Sequence, residues 1–268
     1  MSVSSHPGII TQAEFDTYSN DWINVVTNDD ADELAKCFRL EGADQNINCV
    51  YFSAMQIAHL VSTVGAQHIK ARFLVVRDAD NDPHFALALF ASDDLNGRLS
   101  AYYMSQPYWL LSSPPSQPGE PTPVPPLNVF SSVLLPDALA AFWLNNWSPD
   151  GPDPRATQDM FNSTYGYLRG YTFEMDDFLN PFTQIKAGVK IEDADPFRVN
   201  FGLHTYYPIN SQELDSTFGL MVSYVNYAKR AQALKAKIDM VPGTPQTDND
   251  PDDLEVFYDL ATPCPPKC

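Results

Sequence analysis

The sequence predicts an α+β protein made of two related units in tandem, each an antiparallel sheet with helices packed on one side. Three observations lead to this. The chain has 268 residues, more than one core of ordinary size requires. Seven prolines crowd residues 114–126 and divide it near the middle. One order of features recurs on both sides of that division. The expected organisation is a first unit over 1–112, a proline-rich linker over 113–126, a second unit over 127–240, and an acidic, proline-containing tail over 241–268.

The first helix starts at Thr11-Gln12-Ala13-Glu14, where threonine and glutamate can satisfy each other's exposed backbone donors. Phe15, Tyr18, Trp22 and Val26 then recur at helical spacing, with Asn20, Asp21 and Asn24 on the other face. A short helix through Leu34, Ala35 and Phe38 follows the break at Asn28-Asp29-Asp30. Residues 48–52 read as a strand, and Ser53 caps a helix whose apolar face is Ile57, Leu60, Val61 and Val64, ended by Gly65. Three strand-like runs complete the half, at 71–76, 85–91 and 99–104, with turns at 78–83 and 93–97.

Beyond the linker, Trp143-Leu144-Asn145-Asn146-Trp147 echoes Tyr18-Ser19-Asn20-Asp21-Trp22. Tyr171-Thr172-Phe173 stands where Val50-Tyr51-Phe52 stood, and Met175, Phe178, Leu179 and Phe182 repeat the apolar helix face, which Pro181 should cut short. Ile185-Lys186-Ala187 matches Ile69-Lys70-Ala71. The turn Asp193-Ala194-Asp195-Pro196-Phe197 matches the longer one from Asp78 to Phe85, and both read as hairpin connections. On these matches the offset between halves shrinks along the chain, as loop trimming would produce. Phe197, Val199, Phe201 and Leu203 alternate with Arg198, Asn200, Gly202 and His204, the period of a strand with one buried face. Residues 215–238 fit either a helix or a strand followed by a helix, and Val256-Phe257-Tyr258 suits a short strand.

Composition narrows the function classes. With 34 acidic against 16 basic residues, the formal charge is -18 and the pI near 4.4. Such a surface repels phosphate backbones and anionic lipid, so neither nucleic acid nor membrane is expected as a partner. Residues 1–20 hold no lysine, arginine or long apolar run, and no stretch reaches the length of a membrane span, so the expected location is cytoplasmic. Cys37 and Cys49, set in apolar segments, read as buried small hydrophobes.

The common catalytic motifs are missing. The 12 glycines form neither G-x-G-x-x-G nor a P-loop, and G-x-S-x-G and H-E-x-x-H do not occur. His59 and His68 flank the end of one helix and could approach each other. Asp248, Asp250, Asp252 and Asp259 occupy positions 1, 3, 5 and 12 of a calcium-type loop, but position 6 is Asp253 where the sharp turn wants glycine. Cys264 and Cys268 offer two thiolates for zinc, with Cys37 and Cys49 as completions. Tyr102, Tyr103, Tyr108, Trp109, Tyr206 and Tyr207 could line a binding surface.

The strand-helix-strand-strand unit with its aspartate-rich turn, at 51–90 and again at 171–203, together with Cys264-Pro265-Pro266-Lys267-Cys268, resembles a group of small uncharacterised bacterial proteins. The resemblance covers one unit per half and the terminal pentapeptide. It implies the duplication and no activity. The expected function is a non-catalytic structural or protein-interaction protein, binding a protein partner or itself, without cofactor. Two alternatives are a hydrolase using carboxylates in a cleft between the halves, and a metal or redox module using the terminal cysteines, with calcium or zinc as the ion.

Overall fold

The computed structural model describes residues 8–28, 30–39, 46–106, 135–147, 156–163, 166–182, 185, 188–194, 196–207, 213, 215–224, 256–260 and 262–263. The chain is α+β. Its elements before residue 107 are β1 (Ile9–Ile10), α1 (Gln12–Thr27), α2 (Ala31–Cys37), β2 (Cys49–Phe52), α3 (Ala54–Val61), β3 (His68–Arg77), β4 (Pro83–Ser92) and β5 (Tyr102–Met104). After residue 134 come α4 (Asp137–Trp147), β6 (Asn162–Ser163), β7 (Gly166–Tyr167), β8 (Gly170–Glu174), α5 (Asp176–Phe182), β9 (Phe197–Tyr206), β10 (Asp215–Tyr224), β11 (Val256–Leu260) and β12 (Thr262–Pro263). Single 3-10 turns lie at Gln158–Phe161 and Ile191–Asp193.

Local chemistry sets the helix starts. Thr11 accepts from the Glu14 N–H at 3.3 Å while the Glu14 carboxylate accepts from the Thr11 N–H at 2.7 Å. Those bonds to Thr11, the backbone one foremost, lower the pKa of the Glu14 carboxyl. Ser53 and Gln56 repeat the device at the start of α3. That helix ends at Val61, earlier than its apolar spacing predicts, and Val64 is 93% exposed. The Thr63 hydroxyl takes the His59 carbonyl, competing with continuation of the helix, and Gly65 turns the chain at φ 82°. α5 carries Pro181 at its next-to-last position and stops at Phe182.

The strands form two main antiparallel sheets, one in the order β1-β5-β4-β3-β8-β12 and the other in the order β11-β10-β9-β2, with β6-β7 as a separate short pair. Each main sheet takes a strand from across the 113–126 segment. β3 pairs with β8 (Ile69 opposite Phe173, Ala71 opposite Tyr171), and β9 pairs with β2 (Phe197 opposite Phe52, Val199 opposite Val50). Val256–Leu260 extends the second sheet alongside β10.

The inner faces of these sheets meet in one aromatic core. Phe73 and Phe85 of the first sheet and Phe201 and Phe218 of the second lie 5.3–6.2 Å apart, ring centre to ring centre, in the pairs Phe73–Phe85, Phe85–Phe201, Phe201–Phe218, Phe73–Phe218 and Phe85–Phe218. Phe38, Phe161, Trp22 and Trp147 close around them, and all eight rings are buried. Edge-to-face geometry predominates, as the ring quadrupoles favour. α1 sends Phe15 and Tyr18 to a second cluster on the outer face of the first sheet, while α4 sends Ala140 and Trp143 to the outer face of the second. Both faces of β9 are therefore covered, so Arg198 and Asn200 are buried along with Phe197 and Val199. The one-sided burial expected from its alternation does not occur because α4 lies on the side read as solvent.

Contacts across the halves come in reciprocal pairs. The Trp22 indole donates to the Leu168 carbonyl at 2.8 Å, and the Trp147 indole donates to the Ile47 carbonyl at 2.9 Å. The Phe73 N–H donates to the Arg169 carbonyl, and the Phe201 N–H to the Asn48 carbonyl. Ile47 N–H meets the Phe38 carbonyl as Leu168 N–H meets the Phe161 carbonyl. Phe73 and Phe201 hold like places in these contacts, and so do Phe85 and Phe218 on the strands paired beside them. Ile69-Lys70-Ala71 lies opposite Phe173-Thr172-Tyr171, and Phe197-Arg198-Val199 lies opposite Phe52-Tyr51-Val50. Ile185 lies outside any strand, and the residues around Asp193 precede β9 instead of joining two strands.

Close approach of β8 to β3 depends on Gly170. It has φ 149°, and a Cβ there would sit 2.0 Å from the Ala71 carbonyl oxygen. Gly170→Ala is expected to destabilise the protein by about 3 kcal/mol or more, since both the backbone conformation and the strand spacing must give. Chemical unfolding in guanidinium checks this; an unchanged midpoint would remove the steric account.

Candidate functional site

Of the residues expected to bind a metal, Asp259 lies in β11, at the edge of the second sheet. Asp248, Asp250, Asp252, Cys264 and Cys268 lie outside the described residues, as do Tyr108 and Trp109 and the 114–126 segment. Cys37 and Cys49 are buried. Burial, with the Glu33 carboxylate adding to it, pushes the Cys37 thiol up to about 12, the opposite of what a nucleophile or zinc ligand needs. His59 lies beside Tyr103, whereas His68 stands between Asp94 (3.6 Å) and Glu174 (3.5 Å). Among the described residues no group of three or more histidine, cysteine or acidic side chains is placed to hold a metal ion. Tyr102 and Tyr103 are buried, while Tyr206 and Tyr207 are exposed.

The densest polar cluster outside the core sits at the β3–β4 turn. Asp78 Oδ1 accepts the backbone N–H groups of Asp80 and Asp82, both at 2.9 Å, and its Oδ2 lies 3.0 Å from His84 Nε2. The hydrogen bond from His84, followed by the one from the Asp82 backbone, holds the Asp78 carboxyl below its ordinary pKa. Arg77 pairs with Glu33 at 2.6 Å, tying the turn to α2, and that bond raises the guanidinium pKa. Every oxygen named here is aimed at the turn itself or at a neighbouring element. Those contacts make the cluster a clasp for the hairpin.

On the outer face of the second sheet, Trp143 of α4 stacks on His204 with ring centres 4.0 Å apart. The approach is possible because position 202 is glycine: a Cβ there would lie 3.1 Å from the Trp143 Cβ and 2.7 Å from the Met221 methyl. His204 Nε2 is buried without a hydrogen-bond partner. Burial lowers the His204 pKa to about 4. The folded protein thus holds this ring neutral where the unfolded chain, near 6.5, would protonate it. The unfolded state binds more protons between those values, so stability is full above about pH 6.5 and is lost progressively as the pH falls toward 4. The loss is expected to reach at most about 3 kcal/mol. Guanidinium titrations at pH 7 and pH 4.5 measure it, and His204→Phe should shrink the difference between the two; an unaltered difference would assign the slope to other groups.

Two buried cations lie on the outer faces of the sheets, Lys70 in β3 and Arg198 in β9. Arg198 lies 5.8 Å from the centre of the Tyr51 ring, on the strand beside it. Lys70 donates to the Asn96 side-chain oxygen at 2.6 Å. The sequence pattern matches Lys70 with Lys186 and places Arg198 on the solvent side of its strand. Lys70 and Arg198 each stand three positions before a phenylalanine that faces the core, Phe73 and Phe201, a spacing weak as a signal in a single sequence. Beside Arg198, Asn200 donates to Ser223 at 2.8 Å and to the Met221 carbonyl at 3.3 Å.

The fold places this chain among α+β proteins with two antiparallel sheets around a shared core. Comparison with family models, curated proteins and solved structures returns no match. Among the described residues no helix is long and apolar enough to cross a membrane.

Proposed function

We propose that the protein is a non-catalytic interaction and assembly protein whose halves descend from one strand-exchanging unit. The observation that carries this reading is the filled interface between the sheets. A hydrolase with its acids in a cleft between the halves needs open, polar space there, and the eight buried rings of the shared core occupy that region. The reciprocal hydrogen bonds of Trp22 and Trp147 support the common origin of the halves, because side chains so far apart in sequence repeat one job at matched positions.

The assembly face we assign is α4. Leu139 and Phe142, three residues apart on that helix, are 38% and 50% exposed and share one side of it. A second copy is the partner, and the charge of -18 opposes the encounter. Association should therefore strengthen as salt rises and screens the repulsion. Size-exclusion chromatography with light scattering at 0.05 M and 0.5 M salt tests this. The expected result is concentration-dependent assembly at high salt that Phe142→Glu abolishes; a monomer at every concentration and salt would overturn it.

A further inference from the structure

The turn between β4 and β5 holds an Asn96-Gly97 pair in an arrangement that its sister turn lacks. In both turns an aspartate opens the loop and accepts two backbone N–H groups. Asp78 takes those of Asp80 and Asp82, and Asp93 takes those of Leu95 (3.0 Å) and Gly97 (2.6 Å). In both, an asparagine sits in the left-handed region, Asn81 at φ 67° and Asn96 at φ 66°. Two features set the second turn apart. Asn96 is followed by glycine, whose missing side chain leaves the backbone nitrogen sterically open, and a Cβ at Gly97 would lie 2.8 Å from the Asp93 carboxylate. The Asn96 carboxamide oxygen also accepts from the ammonium of Lys70, a residue 1% exposed.

We propose that Asn96-Gly97 is a self-modifying site, at which the protein converts Asn96 to an aspartyl residue. Two side chains contact the pair, Lys70 at the Asn96 carboxamide and Asp93 at the Gly97 nitrogen. Lys70 draws electron density from the carboxamide oxygen, where negative charge develops as the carbon is attacked. The Asp93 carboxylate, 2.6 Å from the Gly97 nitrogen, takes the proton of that N–H. The nitrogen forms a bond to Asn96 Cγ, the Cγ–NH2 bond breaks, and the amino group leaves as ammonia with one added proton. The succinimide that results is opened by water at Cγ to give aspartate, or at the main-chain carbonyl to give isoaspartate. Asn96 and Gly97 are exposed, so water reaches both carbonyls. No redox partner is needed.

The buried cation also favours the product. Before the reaction Lys70 faces a neutral amide; in the aspartate product it faces a carboxylate at the same position, and a buried charge with an opposite charge beside it is the more stable arrangement. Modification would thus install the counter-ion of Lys70 after folding.

The experiment uses the full chain at pH 8 and 37 °C, sampled over days, with the mass gain of one unit located by peptide mapping. The native protein should modify Asn96 about tenfold faster than the same chain in guanidinium, with Asn81 unchanged as the internal control. Equal or slower modification in the native state would overturn the proposal, since an ordinary Asn-Gly pair is protected by folding. Lys70→Met, if it keeps the wild-type circular dichroism, should lose the native-state advantage, and a retained advantage would remove Lys70 from the mechanism. Independently of that variant's folding, Asn96→Asp should raise the melting temperature; a lower one would contradict the ion-pair argument.

Discussion

Phe38→Ala is expected to lower the unfolding free energy by about 3–5 kcal/mol, the range for emptying an aromatic site in a packed core. The size follows from its surroundings. Phe38 is fully buried and lies 4.6 Å from Phe85, 5.2 Å from Trp147 and 5.5 Å from Phe161, with Phe201 and Phe218 near 6 Å. These neighbours come from both sheets, from α4 and from the 3-10 turn at Gln158–Phe161, so no single element can shift to fill the space without losing contact with another. Against a typical total of about 5–15 kcal/mol, the variant stands close to the limit of folding. Guanidinium denaturation followed by tryptophan fluorescence measures the change. Val64→Ala, 93% exposed just beyond α3, should stay within about 0.5 kcal/mol and serves as control. A small effect at Phe38 would mean that the core is loosely packed.

Cutting the chain within 113–126 should leave the two fragments bound to each other. A protease site placed between Gln117 and Pro118 and cleaved after folding tests this on the full-length protein. Backbone pairing joins the fragments twice, between β3 and β8 over five residues and between β2 and β9 over four. The buried rings around Phe73 and Phe201 hold both pairs together. The fragments should co-elute on native size exclusion and separate only in denaturant. Two independently eluting fragments would show that the exchanged strands do not secure the fold.

What was legible in the sequence was local. The capping boxes at Thr11 and Ser53 mark their helices because donors and acceptors lie three residues apart, and β3, β4 and β9 announce themselves by their apolar runs. The partner of a strand is a different kind of fact. Alternation at Phe197, Val199 and Phe201 states which side chains share a face, and leaves open which strand lies alongside. The pairing with β2, some 150 residues earlier, therefore had no local signature. The Ile185-Lys186-Ala187 triplet matches Ile69-Lys70-Ala71 in letters, yet Ile185 lies outside any strand, whereas Arg198 is like Lys70 in charge, burial and place on a strand. At the site level, Asp93-x-x-Asn96-Gly97 read as an ordinary turn, since the lysine that distinguishes it lies on a strand more than twenty residues away.

The exchanged strands also bear on how the protein is made. When Ser92 leaves the ribosome, β3 and β4 can pair with each other, but the other edge of β3 waits for Glu174, about 80 residues later. At roughly 5–20 residues per second that interval lasts on the order of 5–15 s. Throughout it, a ten-residue strand carrying Ile69, Phe73, Leu74, Val75 and Val76 has an open edge and half a core. The 113–126 stretch is translated inside that window. Proline lacks the N–H that a strand ladder needs, so these residues are poor partners for the open edge of β3.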